Sequence, residues 1–220
     1  KSTVLRYLAL LLAQSALGEP VRLPVWDDDH LPVPILCPLG AVAELLHTTG
    51  DADTALWQAL GNVLDGRQHI RAGLRDYLTA AIGSGGVLLL FDGLDELPTS
   101  DKNPRQQVAQ ALARLACGDT ARTPMVVTSR VLPYRTAGTW QLPTDEGWQE
   151  RTIEPLAFGQ VQQFVRQWYT ELAGRDPSLD TDEAEQRADA LIAALRDHRR
   201  LQPLIRSPLL LTMLALVHAN

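Results

Sequence analysis

The sequence has 220 residues, which at about 150 residues per domain is one large domain or a domain with a small appendage. Hydrophobic residues make up 45% and charged residues 21%, a composition that buries a sizeable core and excludes extended disorder. Twenty Lys and Arg stand against 26 Asp and Glu, and the net charge of -6 argues against a chain-wide basic surface for nucleic acid or anionic membrane.

The first predicted element is a helix, because Val4, Leu5, Leu8, Leu11 and Leu12 share one apolar face. Gly18, Glu19 and Pro20 end it. A proline-punctuated stretch, Val21 to Gly40, holds one strand around Val33–Leu36, and a helical region from Asp53 to Ile82 is interrupted by Gly61 and Gly66. Gly83-Ser84-Gly85-Gly86 then releases the chain into Val87-Leu88-Leu89-Leu90-Phe91. An unbroken apolar run, rather than an alternating one, predicts a strand buried on both faces, as in a parallel sheet. Val108, Leu112 and Leu115 form a helical stripe, Met125-Val126-Val127 a short strand, and Glu150–Ile153 a weaker strand candidate. This alternation predicts an α/β layer architecture. After Pro155 only helical patterns remain. One runs from Val161 to Leu172, one opens at Asp182-Glu183-Ala184-Glu185 with a box-like Asp182/Glu185 pair, and one starts at Ser207-Pro208. The expected division is therefore 1–154, an α/β domain, and 155–220, a small all-helical subdomain.

Three segments carry candidate chemistry. Lys1-Ser2-Thr3 opens the first helix, and a phosphate-binding loop ends in Gly-Lys-[Ser/Thr] at such a helix start, where free N–H groups and the helix dipole favour anions. In that pattern the lysine reaches the β- and γ-phosphates and the hydroxyl joins the Mg²⁺ shell; an isolated Lys-Ser-Thr also describes an ordinary helix start. Asp92-Gly93-Leu94-Asp95-Glu96 follows the apolar run, at the strand end where doubly wound sheets bind ligands. Asp92 is the candidate for Mg²⁺, a hard cation that takes oxygen ligands and keeps much of its water. Asp95 or Glu96 is the candidate to orient or deprotonate the water attacking a γ-phosphate. Thr128-Ser129-Arg130 ends the Met125–Val127 strand and brings a hydroxyl and a guanidinium to the same edge; Arg130 is the candidate reader of a γ-phosphate.

In this order and spacing, Lys1-Ser2-Thr3, Leu88-Leu89-Leu90-Phe91-Asp92-Gly93-Leu94-Asp95-Glu96-Leu97 and Val126-Val127-Thr128-Ser129-Arg130 resemble the NACHT family, signal-transducing P-loop NTPases of the STAND group. The Asp-Gly-Leu-Asp-Glu form is the specific part. Ile153-Glu154-Pro155-Leu156 and Ser207-Pro208-Leu209-Leu210-Leu211 resemble the family's first helical domain, where the proline matching Pro208 packs against adenine. The resemblance implies a P-loop NTPase sheet with flanking helices, ATP or ADP with Mg²⁺ as cofactors, and a slow ATPase that resets a switch. It implies further copies of the same protein as partners on activation, with sensor and effector domains in the same parent chain. For prokaryotic members it implies defence against invaders such as phage. On this view the chain is a fragment that begins inside the phosphate loop, its first strand and glycines lying before Lys1, and by itself binds nucleotide poorly. The absence of an Asn-Lys-x-Asp guanine motif tilts the choice toward adenine.

Two other readings stay open: a scaffold that holds nucleotide without hydrolysing it, and a metabolic P-loop kinase or ATPase. The remaining conspicuous residues have plainer explanations. Asp27-Asp28-Asp29-His30 reads as a solvated acidic loop, and Arg196, His198, Arg199 and Arg200 as cations at a helix C-terminus. Trp168 and Tyr169 read as core, and His47, His69 and His218 have no partner nearby in sequence. Cys37 and Cys117 carry no metal-ligand spacing and read as small buried hydrophobes of a reducing compartment. No apolar run nears the ~18 residues of a membrane span, so the expected location is the cytoplasm, without direct membrane or nucleic-acid binding.

Overall fold

The structure is a computed structural model and describes residues 2–19, 31–65, 74–99, 103–117, 120–136, 138–198 and 200–219. Contacts within the chain separate two units, Lys1–Glu150 and Arg151–Asn220. Lys1, Gly66, His69, Arg199 and the Asp27–His30 cluster lie outside the described residues.

The first unit is α/β. Helix α1 (Ser2–Ala16) is followed by strand β1 (Val33–Pro38), helices α2 (Leu39–Thr49), α3 (Ala52–Asp65) and α4 (Leu74–Ala81), and strand β2 (Val87–Asp92). Helix α5 (Pro104–Leu115), strand β3 (Met125–Val127) and the short helix α6 (Val131–Arg135) complete it. The strands form a parallel sheet in the order β1-β2-β3, with Ile35 beside Leu89 and Phe91 beside Val127. β2 is central, and its five apolar residues are all buried. Leu88 and Leu90 pack with Leu5 and Leu12 of α1 on one face. Val87, Leu89 and Phe91 face the other way, into a core with Ile35, Val42, Leu56, Leu60, Val108 and Leu112. The period of two along a strand supplies both faces from one unbroken run. β1 tolerates Pro34 and Pro38 because its only strand partner among the described residues is β2, so it sits at an edge.

Local structure departs from the sequence reading in several places. Gly61 does not interrupt α3, because Ala55, Leu56, Ala59, Leu60 and Leu64 bury a continuous face that outweighs the ~1 kcal/mol cost of a helical glycine. The stretch after Pro38 becomes α2, whose Leu39, Val42, Ala43 and Leu46 are buried at helical spacing. Glu150–Ile153 is not a strand: all four residues are exposed, Ile153 at 64%, and among the described residues no strand pairs with them. Cys117 is exposed, whereas Cys37 is wholly buried in the core.

The second unit is helical, with α7 (Phe158–Arg175), α8 (Thr181–Asp197), α9 (Gln202–Ile205) and α10 (Pro208–Ala219) around Val161, Val165, Tyr169, Leu191, Ile192, Leu195 and Leu211. The α8 cap is Asp180, whose Oδ1 accepts from the Glu183 N–H at 2.7 Å, and not the expected Asp182/Glu185 pair. Trp168 packs at the edge of this core and stacks on Phe164, while buried Tyr169 is hydrogen-bonded to His218 at 2.6 Å. That contact joins residues 49 positions apart, beyond reach of any local pattern. Among the described residues no helix is long and apolar enough to cross a membrane.

Candidate functional site

The C-terminal ends of β2 and β3 bring together Asp92, Gly93, Asp95, Thr128 and Arg130. Parallel pairing of Phe91 with Val127 places Asp92 and Thr128 next to each other at the sheet edge. The Thr128 N–H donates to the Phe91 carbonyl and the Leu94 N–H donates to the Thr128 carbonyl, both at 2.9 Å, which prolongs the strand pairing by one residue on each side. The Thr128 hydroxyl donates to Asp92 Oδ1 at 2.6 Å and accepts from the Gly93 N–H at 3.1 Å.

Gly93 turns the chain with φ 88° and ψ 46°, a left-handed conformation that disfavours any side chain, and opens a one-turn 3-10 helix over Leu94–Glu96. This turn sends the two following acids to different environments. The Asp95 side chain is 4% exposed; its Oδ1 accepts from the Arg130 N–H at 2.9 Å and its Oδ2 lies 3.3 Å from Arg130 Nε. Glu96 is exposed, its carboxyl folded back toward Gly93. The Arg130 side chain, by contrast, is 69% exposed, so a buried carboxylate holds a guanidinium that stays at the surface.

Sequence reasoning missed Arg105. From the first turn of α5 its Nη2 donates to the Asp95 carbonyl and its Nε to the Leu97 carbonyl, each at 2.8 Å. Its guanidinium also lies 5.5 Å from the Trp140 ring centre, and Trp140 meets Tyr134 edge-to-face. These bonds satisfy two carbonyls of the acidic turn that no helix or strand would cover. A cation nine residues beyond the turn is the only sequence signal for it, and a weak one.

The other sequence candidates are placed as follows. Ser2 is half-buried and Thr3 exposed in the first turn of α1, the helix that packs on Leu88 and Leu90 of β2; Lys1 lies outside the described residues. Pro208 is the first residue of α10 in the second unit. There the Leu156 N–H donates to the Arg206 carbonyl at 2.9 Å, so the Glu154-Pro155-Leu156 and Ser207-Pro208 segments, 50 positions apart in sequence, are neighbours.

Among the described residues no group of three or more His, Cys, Asp and Glu side chains is placed to hold a metal ion. A cation at Asp92 would therefore take the rest of its oxygen shell from hydroxyl, water or a phosphorylated ligand, a donor set that suits Mg²⁺. The edge thus carries a carboxylate at the end of β2 and an exposed guanidinium just past the end of β3. No protein-family model matches the chain, and no match is found among the curated proteins or the solved structures.

Proposed function

We propose that the chain is the nucleotide-binding module of a NACHT-type P-loop switch ATPase, taking ADP or ATP with Mg²⁺ and controlling assembly of a larger receptor. The observation that carries this reading is the meeting of Asp92, Thr128 and Arg130 at the C-terminal edge of adjacent parallel strands, where open α/β sheets hold their ligands. The three-stranded parallel sheet with helices on both faces is compatible with a P-loop fold, and the two segments that resemble the family's helical domain are tied together through Leu156 and Arg206.

In this reading Asp92 and the Ser2 hydroxyl hold Mg²⁺, and Lys1 and Thr3 belong to the phosphate loop. The metal would neutralise charge on the transferring phosphoryl oxygens. Arg130 offers charge-assisted hydrogen bonds to a terminal phosphate from a side chain anchored by Asp95. With both Asp95 oxygens engaged by Arg130, the role of orienting the attacking water falls to Glu96. ADP and ATP shift the switch only in so far as Arg130 and its neighbours contact them differently in its two states.

The same engagement of Asp95 favours a second reading, a scaffold that binds nucleotide and does not hydrolyse it. A single-turnover measurement on the full-length protein separates the two. Phosphate release that falls in Glu96→Gln supports the switch ATPase, and no release under any activating condition supports the scaffold. Nucleotide-dependent assembly that survives Asp92→Ala unchanged contradicts both.

A further inference from the structure

The geometry points to Thr128 as the positioning residue that fixes which oxygen of Asp92 meets the cation; the inference rests on the reading of Asp92 as a Mg²⁺ ligand. Three bonds constrain this threonine independently of its hydroxyl's own preference. Its N–H is held by the Phe91 carbonyl and its carbonyl by the Leu94 N–H, so its Cα is locked across the turn that carries Asp92. The Gly93 N–H at 3.1 Å can only donate, so it occupies a lone pair of the hydroxyl oxygen. The hydroxyl proton is then directed to Asp92 Oδ1, at 2.6 Å, within the range of an O–H···O⁻ bond to an ionised acceptor.

The direction of this relay, from Gly93 N–H to Thr128 to Asp92, has a chemical consequence. A carboxylate that accepts a short hydrogen bond at Oδ1 keeps Oδ2 as its remaining acceptor, and among the described residues no protein donor is bonded to Oδ2. The carboxylate plane is thereby set by the adjacent strand and not by its own torsion alone. Hydrogen bonds that orient a metal-binding side chain are worth about 10–100-fold in metal affinity. Serine preserves the relay; valine keeps the shape and removes the proton that drives it, and alanine removes both hydroxyl and methyl.

The test uses the full-length protein saturated with ADP, into which Mn²⁺ is titrated and followed by electron paramagnetic resonance, with Tm measured in parallel. Thr128→Val and Thr128→Ala are expected to weaken Mn²⁺ binding about tenfold or more, with ADP binding in the absence of metal unchanged. Thr128→Ser is expected to keep Mn²⁺ binding within about twofold of wild type on the same orienting argument. Wild-type Mn²⁺ affinity in the valine and alanine variants overturns the proposal, and so does loss of fold in both, which would assign the hydroxyl to the fold alone. Asp92→Ala separates the two levels of inference. If it leaves Mn²⁺ binding intact, the reading of the site fails; if it abolishes binding while the threonine variants bind normally, only the role of Thr128 fails.

Discussion

Arg130 grips Asp95 twice, through its main-chain N–H at 2.9 Å and its Nε at 3.3 Å, with the carboxylate buried and the guanidinium exposed. Two acids adjacent in sequence are thereby divided between tasks: Asp95 anchors the loop after β3, and Glu96 is left at the surface. Removing Asp95 takes away the acceptor of the Arg130 N–H and the carboxylate that holds its guanidinium. Asp95→Ala is expected to cost about 1–3 kcal/mol and Glu96→Gln about 1 kcal/mol or less, as read by urea denaturation. Equal losses would contradict the division.

The central strand should dominate the stability of the first unit. Leu90 is fully buried against the cluster that contains Leu5 and Leu12 of α1, so Leu90→Ala is expected to cost about 2–5 kcal/mol. Leu10, on the same helix but 52% exposed, should tolerate alanine with little loss. Urea denaturation of the two variants checks the contrast, which fails if Leu10→Ala is as damaging as Leu90→Ala.

The two cysteines should differ sharply in reactivity. Burial pushes the Cys37 thiol up to about 12, while Cys117 is exposed near the end of α5. Titration with a thiol reagent at neutral pH should modify one cysteine quickly and the second only on unfolding, and Cys117→Ser should abolish the fast phase. The linkage has a definite sign. Above the ordinary cysteine range the unfolded chain loses this proton while the folded chain retains it, so Cys37 lowers stability progressively between about pH 9 and pH 12.

At the acidic end, Asp51 should matter. It accepts from the Thr54 N–H at 2.8 Å at the start of α3, and hydrogen bonding to Thr54 holds its carboxyl below the usual range. A depressed folded value means that its contribution is present above the unfolded value and is lost as pH falls through the folded one. The stability gap between wild type and Asp51→Ala should be present at pH 7 and close below about pH 4, near the unfolded aspartate value. A gap that persists unchanged at pH 2 would show that the bond does not depend on the charge.

Much of this arrangement was legible in the sequence where one residue type dominates a local pattern. The run Val87–Phe91 is a buried parallel strand because nothing polar interrupts it, and Asp92 at its end follows directly. Asp182 and Glu185 mimic a capping box two residues past Asp180, and only the Glu183 N–H geometry identifies Asp180 as the α8 cap. The links that assemble the site are less visible. Thr128 meets Asp92 only through the register of β2 on β3, and Arg105 covers the acidic turn only because α5 packs beside it. Both depend on long-range pairing that no window of neighbouring residues contains. Glu150–Ile153, a weaker strand candidate in the sequence, failed for the opposite reason: no face of it is buried.

The most direct test of the central claim is calorimetric binding of ADP and ATP to the full-length protein, with and without Mg²⁺, in wild type and Asp92→Ala. The account predicts micromolar or tighter binding, about -8 kcal/mol or more favourable, strengthened by Mg²⁺ in wild type and indifferent to Mg²⁺ in the variant. Binding that gains equally from Mg²⁺ in both proteins, or no nucleotide binding to wild type at all, would contradict it.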